Sequence, residues 1–294
     1  MRVSGLLARG VGAVFIMATS VLWAGAGQAA VTCPQQLAGG VPERAAEAPT
    51  GSAAMSQLLE MRGRQRDAEV VRHVLAGNIP QFLRHLAPVS LTGKGADGKT
   101  LQVTLCVTPD YLAVGDDRDF VRVPMGLAAA ARIATETGFL LPTPMMVDAI
   151  YRQAVTRLPP QPMKPTAQME STAYFVAHNQ TLDALRMQAK ADPDALTAGL
   201  KKDIVLTTRL RSKPGRVPIY GWHRTNGKPI QPLSSVHGAD YADYSHGVRL
   251  VSRTAFVNGK PRDLAEIIQD PALAPLISSE GPIADPERLL AAQY

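Results

Sequence analysis

The hydrophobic period of this chain changes at Pro88, and that change limits the folds open to it. Over residues 52–76 the apolar side chains Leu58, Leu59, Met61, Val70, Val71, Val74 and Leu75 recur at near-helical spacing. Gly77-Asn78 reads as the helix stop, and Pro80 opens a short helix through Leu86. From Pro88 the apolar residues alternate instead. Residues 88–92 and 101–107 flank a Gly-rich segment with Asp97-Gly98 in the turn, the pattern of a β-hairpin. Residues 111–114 and 120–123 predict two more strands, joined by the acidic turn 115–119. The helical period returns at 126–137, after Thr143-Pro144 (a cap followed by proline in the first turn), and at 171–190. Four prolines between 157 and 166 predict an extended connector.

Beyond residue 201 the pattern is again that of strands: 204–210, 217–223, 229–233, 246–252 and 254–257. Asn226-Gly227 and Asn258-Gly259 turn two hairpins, and a last helix starts near Asp263. Helices mixed with antiparallel hairpins predict an α+β fold, a single globular domain over 52–294. Its part over 52–200 reads as mostly helical, and its part over 201–262 as rich in sheet.

Residues 1–30 have the layout of a secretory signal peptide. Arg2 and Arg9 precede an apolar run from Val11 to Trp23, and small residues follow to Ala30. The expected location is periplasmic or secreted, with no membrane span after cleavage, since the run is short of the roughly 20 residues a span needs. Residues 31–51, rich in Ala, Gly and Pro, read as a flexible tail. The two cysteines, Cys33 and Cys106, are expected to form a disulfide in an oxidising compartment. Net charge falls from +6 to +4 when Arg2 and Arg9 leave with the leader. That balance, without a basic stripe, excludes a nucleic-acid partner.

Function is concentrated in residues 216–252. Three of the six histidines, His223, His237 and His246, lie there with Asp240 and Asp243. Tyr220, Trp222, Tyr241 and Tyr244 supply aromatic walls, and Arg249 a cation for a substrate carboxylate. Loops held by strands commonly carry function, and residues 234–245 form such a loop. Alternation along 217–223 would put Tyr220 and Trp222 on one face and His223 on the other, unless the strand bends at Gly221. Lys201, Lys202 and Asp203 read as a solvated turn beside the site, and His178 as a structural histidine in its helix.

Three chemistries fit these residue types. Histidines with an aspartate could hold zinc and activate water. A histidine could act as general base, oriented by Asp243, with Ser235 or Ser245 as nucleophile or stabiliser. Histidine and tyrosine could serve as base and acid of an eliminating lyase. Ser245-His246-Gly247 resembles part of the L,D-transpeptidase signature, but Val248 stands where that family has its cysteine. The stretch from Ser235 to Asp243 is similar to the zinc motif of D-Ala-D-Ala carboxypeptidases. It is one residue short between His237 and Asp243, and Trp222-His223 lies upstream rather than downstream. The combined expectation is an exported hydrolase or lyase acting on an envelope polymer, peptidoglycan or an acidic polysaccharide. His223, His237, Asp243 and His246 would be catalytic, and Tyr220, Trp222, Tyr241, Tyr244 and Arg249 would bind substrate. The alternative is a non-catalytic periplasmic protein that binds carbohydrate or another envelope component.

Overall fold

In the computed structural model, residues 1–2, 31–33, 40–95 and 97–294 are described. The expected signal peptide lies almost wholly outside the described residues, as does 34–39 of the expected tail. The helices are α1 (Gly51–Gln57), α2 (Gly63–Leu75), α3 (Leu127–Glu136), α4 (Pro144–Gln153), α5 (Thr172–Gln188), α6 (Arg209–Ser212), α7 (Leu264–Gln269) and α8 (Pro286–Ala291). The strands of the first half are β1 (Ala87–Lys94), β2 (Thr100–Val107), β3 (Ala113–Gly115), β4 (Phe120–Arg122), β5 (Phe139–Leu140), β6 (Thr156–Arg157) and β7 (Thr197–Ala198). Those of the second half are β8 (Lys202–Ile204), β9 (Ile219–His223), β10 (Pro229–Ser234), β11 (His246–Gly247), β12 (Val251–Ser252), β13 (Thr254–Val257) and β14 (Lys260–Asp263). The fold is α+β, as the alternation of periods predicts.

Local chemistry accounts for several boundaries. Thr143 caps α4 by accepting from the Met146 amide, with Pro144 in the first turn. Ser171 caps α5 and Asp263 caps α7 in the same way. The single helix expected over 52–76 is two, because Leu58–Arg62 leaves helical geometry before Gly63 at φ +49°. The expected strand 204–210 ends at Ile204, and α6 follows it. The expected strand 246–252 splits into β11 and β12, which belong to different sheets.

Hairpin β1–β2 pairs from Ala87↔Val107 to Lys94↔Thr100. It anchors a sheet in the order β14-β13-β2-β12-β5, with β1 on the other edge of β2. A second sheet runs β10-β9-β8-β11. One contiguous apolar core joins α2, α3, α4, α7 and α8 to both sheets. Cys33 and Cys106 form a disulfide that ties the N-terminal segment to β2. Residues 40–50 lie against the domain: Arg44 donates to Asn78 and to the Ala48 carbonyl, and Arg84 to the Val41 and Pro42 carbonyls. Among the described residues no helix is long and apolar enough to cross a membrane.

Candidate functional site

The site is built around a bend in β9. This strand lies between β10 and β8, with Gly221 opposite Lys202. Gly221 has φ +101° and Trp222 φ +56°, so the alternation of faces fails in mid-strand. Tyr220 and His223 therefore reach the same acceptor. The Tyr220 hydroxyl donates to Asp148 Oδ1 at 2.9 Å, and His223 Nε2 lies 2.7 Å from that oxygen. The His223 ring stacks on Tyr151 at 4.5 Å, and the Tyr151 hydroxyl donates to the Arg224 carbonyl. Burial, reinforced by Asp148, holds the Tyr220 phenol well above its ordinary pKa. It remains a hydrogen-bond donor.

Trp222 turns the other way. Lys202 Nζ lies 5.4 Å from its ring centroid, and Tyr244 meets it edge to face at 6.4 Å. Phe175, Tyr174, Met163 and Met169 complete an aromatic and thioether cluster around it. A bulky side chain at positive φ is a conformational outlier of the kind that the surrounding structure must enforce. The indole Nε1 is buried without a hydrogen-bond partner among the described residues.

The loop after β10 brings Asp243, Tyr241, His237 and His246 to this side of the bend. Asp243 Oδ1 accepts from the Ser245 amide at 2.7 Å and from the Ser245 hydroxyl. Oδ2 accepts from the Tyr241 hydroxyl at 3.2 Å and lies 3.9 Å from Lys202 Nζ. β11 runs parallel to β8 and sets His246 opposite Lys202. Tyr241 stands edge-on to the His246 ring at 5.6 Å and stacks on His237 at 4.1 Å. Tyr241 and His237 are half-buried, while His246 beneath them is 0% exposed. Neither ring nitrogen of His246 has a hydrogen-bond partner among the described residues.

Burial lowers the His246 pKa to about 4 against the opposing pull of Asp243, so the ring is neutral near pH 7. Burial alone would raise Asp243. His246, Lys202 and the two Ser245 donors outweigh it and hold the carboxyl below its ordinary value. Burial, then Asp243, pushes the Tyr241 phenol well up, so it keeps its proton.

Residues 201–203 correct one expectation of a solvated turn: Lys201 and Asp203 are interior, and Lys202 between them is half-buried. Lys201 is 0% exposed, with Nζ donating to the Tyr244 carbonyl at 2.6 Å and lying 3.2 Å from His178 Nδ1. His178 Nε2 lies 3.1 Å from the Gln161 carbonyl, so the ring donates there and accepts from Lys201. Burial lowers Lys201 to about 7 and His178 to about 2. Asp203, also buried, accepts from the Tyr111 hydroxyl. Arg249 is interior too. Its guanidinium donates to the Thr108 and Thr197 carbonyls and lies over Tyr111, where it holds segments of the fold together.

His237, Asp243 and His246 thus come together around Tyr241, with Lys202, Trp222 and Tyr244 beside them. Tyr220 and His223 lie across the bend with Asp148. Among the described residues no three His, Cys, Asp or Glu side chains are placed to hold a metal ion, so the zinc arrangement has no ligand set here. Four neighbours were not assigned to the site by the sequence. Lys201 and Lys202 showed only as charges before a strand, and His178 as a lone helical histidine. Asp148 carried no signal, because its partner His223 is 75 residues away. No known family model matches the chain, and neither curated proteins nor solved structures show a significant match to it.

Proposed function

We propose that this chain is an exported hydrolase or lyase that cleaves a cell-envelope polymer, peptidoglycan or an acidic polysaccharide, by acid–base chemistry around Tyr241. The observation that carries the reading is His246, fully buried with both ring nitrogens unpartnered. A buried polar atom without a partner costs about 1–3 kcal/mol, and a bound water, an ion, a ligand or a catalytic role accounts for such atoms in folded proteins. A neutral imidazole offers one acceptor and one donor. It can take a proton from a water or from a carbon beside a carboxylate. Tyr241, held protonated against Asp243, can return one to the leaving oxygen. His237 stacks on the exposed layer of the site, and Lys202 supplies the cation there.

The leader and the Cys33–Cys106 disulfide support export. A carbohydrate-binding platform finds less support. Trp222 and Tyr244 are 5% and 3% exposed and cross edge to face, so they offer no open stacking surface. The test is turnover by the wild type on purified sacculi and on uronic-acid polymers, with Asp243→Asn as control. New reducing ends mark cleavage of a glycosidic bond by either route, and absorbance of a new double bond separates elimination from hydrolysis. Turnover that survives a chelator and is lost in Asp243→Asn is expected. Absence of turnover on every polymer, or its abolition by the chelator, would overturn the reading.

A further inference from the structure

One residue before His237 the same loop forms a second feature, which the acid–base centre does not use. The loop is clamped onto the segment before β9. The Val217 amide donates to the His237 carbonyl at 3.2 Å, and the Ala239 amide to the Gly215 carbonyl at 2.9 Å. Arg216 forms an isolated bridge with Gly238, and its Nη1 donates to the Val236 carbonyl at 2.7 Å. Between the two segments opens a cleft of about 480 Å³, lined by Lys213, Pro214, Arg216, Ser235 and Val236.

Its lining has a definite chemistry. It holds two cations and no carboxylate. Neither Lys213 nor Arg216 forms a salt bridge among the described residues, whereas Arg64 pairs with Asp240 and Arg253 with Asp263. Ser235 is only 6% exposed, yet its hydroxyl is buried without a hydrogen-bond partner among the described residues. Val236, 67% exposed, adds an apolar wall. Cations without an acidic partner are the groups that receive an oxyanion through charge-assisted bonds, and the Ser235 hydroxyl buried behind the lining holds an unused donor.

We propose that this cleft binds an anionic group, carboxylate or phosphate, carried by the polymer, and so sets the register of the chain against His237 and Tyr241. The proposal rests on the polymer-cleaving reading above and names its substrate class: a polyanion, engaged through one charged group beside the cleavage point. Val236 takes the apolar edge of the neighbouring unit.

Binding to the full mature chain decides it, measured calorimetrically with oligogalacturonate, polyphosphate and a neutral chitooligosaccharide at low and high salt. Oligogalacturonate or polyphosphate should bind and weaken with salt, and the neutral oligomer should bind more weakly. The stronger of the two anions identifies the source as a uronate or a phosphate polymer. Lys213→Glu combined with Arg216→Gln should weaken the anion about tenfold or more and leave the neutral oligomer unchanged. Ser235→Ala should weaken it without lowering the melting temperature, whereas a purely structural hydroxyl would give the reverse. Anion binding that both variants retain at wild-type strength, or equal binding of charged and neutral oligomers, would overturn the proposal. The two readings fail separately. Loss of the acid–base centre in Asp243→Asn leaves anion binding in place, and loss of the cleft raises the polymer concentration needed for turnover without abolishing cleavage.

Discussion

The two sides of the bend in β9 contain similar residues and differ in how they are satisfied. On one side, His223 Nε2 and the Tyr220 hydroxyl converge on Asp148, and Tyr151 is bonded to the Arg224 carbonyl. On the other, Asp243 is filled by Ser245 and Tyr241, while His246 Nδ1 and Nε2 and Trp222 Nε1 have no partner among the described residues. A histidine bonded to a carboxylate inside the fold contributes stability. A fully buried histidine that is bonded to nothing subtracts from it. The two histidines therefore differ in the state of their ring nitrogens, since both rings are buried and both lie near an aspartate.

The sharpest way to break this comparison is His246→Leu, which keeps side-chain bulk and removes the nitrogens. Turnover on the polymer should fall by about 10²–10⁴, the usual contribution of a positioned acid or base. The melting temperature should hold or rise, because the unpartnered nitrogens leave with the ring. A variant that loses stability and keeps turnover would show that the imidazole is bonded within the fold, and the contrast with His223 would vanish.

Acid sharpens the same contrast. The His246 pKa is about 4 in the folded chain against an ordinary value of 6.5. Between those values the unfolded chain binds a proton that the fold refuses, so the unfolded state gains as pH falls. The cost of burying His246 is therefore smallest above pH 6.5 and grows as pH falls to about 4. Urea unfolding curves of wild type and His246→Leu should therefore diverge on acidification, the variant becoming the more stable. Parallel curves would mean that the buried ring titrates as in water.

His223→Leu should behave in the opposite sense. It leaves Asp148 with Tyr220 alone, and it should destabilise by about 1–2 kcal/mol while changing turnover far less than His246→Leu. Urea unfolding and the polymer assay together check this. A collapse of turnover in a stably folded His223→Leu would join the two sides into one catalytic site.

Much of this arrangement could be read from local sequence. Alternation and turn residues predicted the β1–β2 and β9–β10 hairpins, Thr143-Pro144 predicted the start of α4, and an isolated cysteine pair predicted the disulfide. The gathering of Tyr241, Asp243 and His246 follows from their being within six positions of each other around one turn. The rest depends on distant pairing. Lys201 and Asp203 look like surface residues until β9 and β11 close on both edges of β8. Arg249 looks like a substrate cation until the Thr108 and Thr197 carbonyls are brought to it. The face taken by Trp222 depends on two backbone angles, and residue periodicity does not encode them.

The smallest expected effect tests whether the bend itself separates the two sides. Gly221 and Gly227 both have positive φ, +101° and +80°. An alanine at Gly227 meets nothing within 4 Å, whereas at Gly221 its Cβ would lie 3.1 Å from Val147 Cγ1 and 3.5 Å from Asp203 Oδ2. Each substitution carries the backbone strain of an L-residue in that region, about 1–2 kcal/mol. Gly221→Ala adds a tight side-chain contact, so it should be the more destabilising of the two by about 1 kcal/mol. The difference should be visible optically as well. The chain has two tryptophans, Trp23 and Trp222, so in a Trp23→Phe background intrinsic fluorescence reports on the residue next to the bend. Gly221→Ala should shift that emission as the indole moves against Tyr244 and Lys202, and Gly227→Ala should leave it unchanged. Equal destabilisation and unchanged emission in both variants would mean that β9 tolerates a straighter path, and that the division between a satisfied and an unsatisfied side does not depend on Gly221.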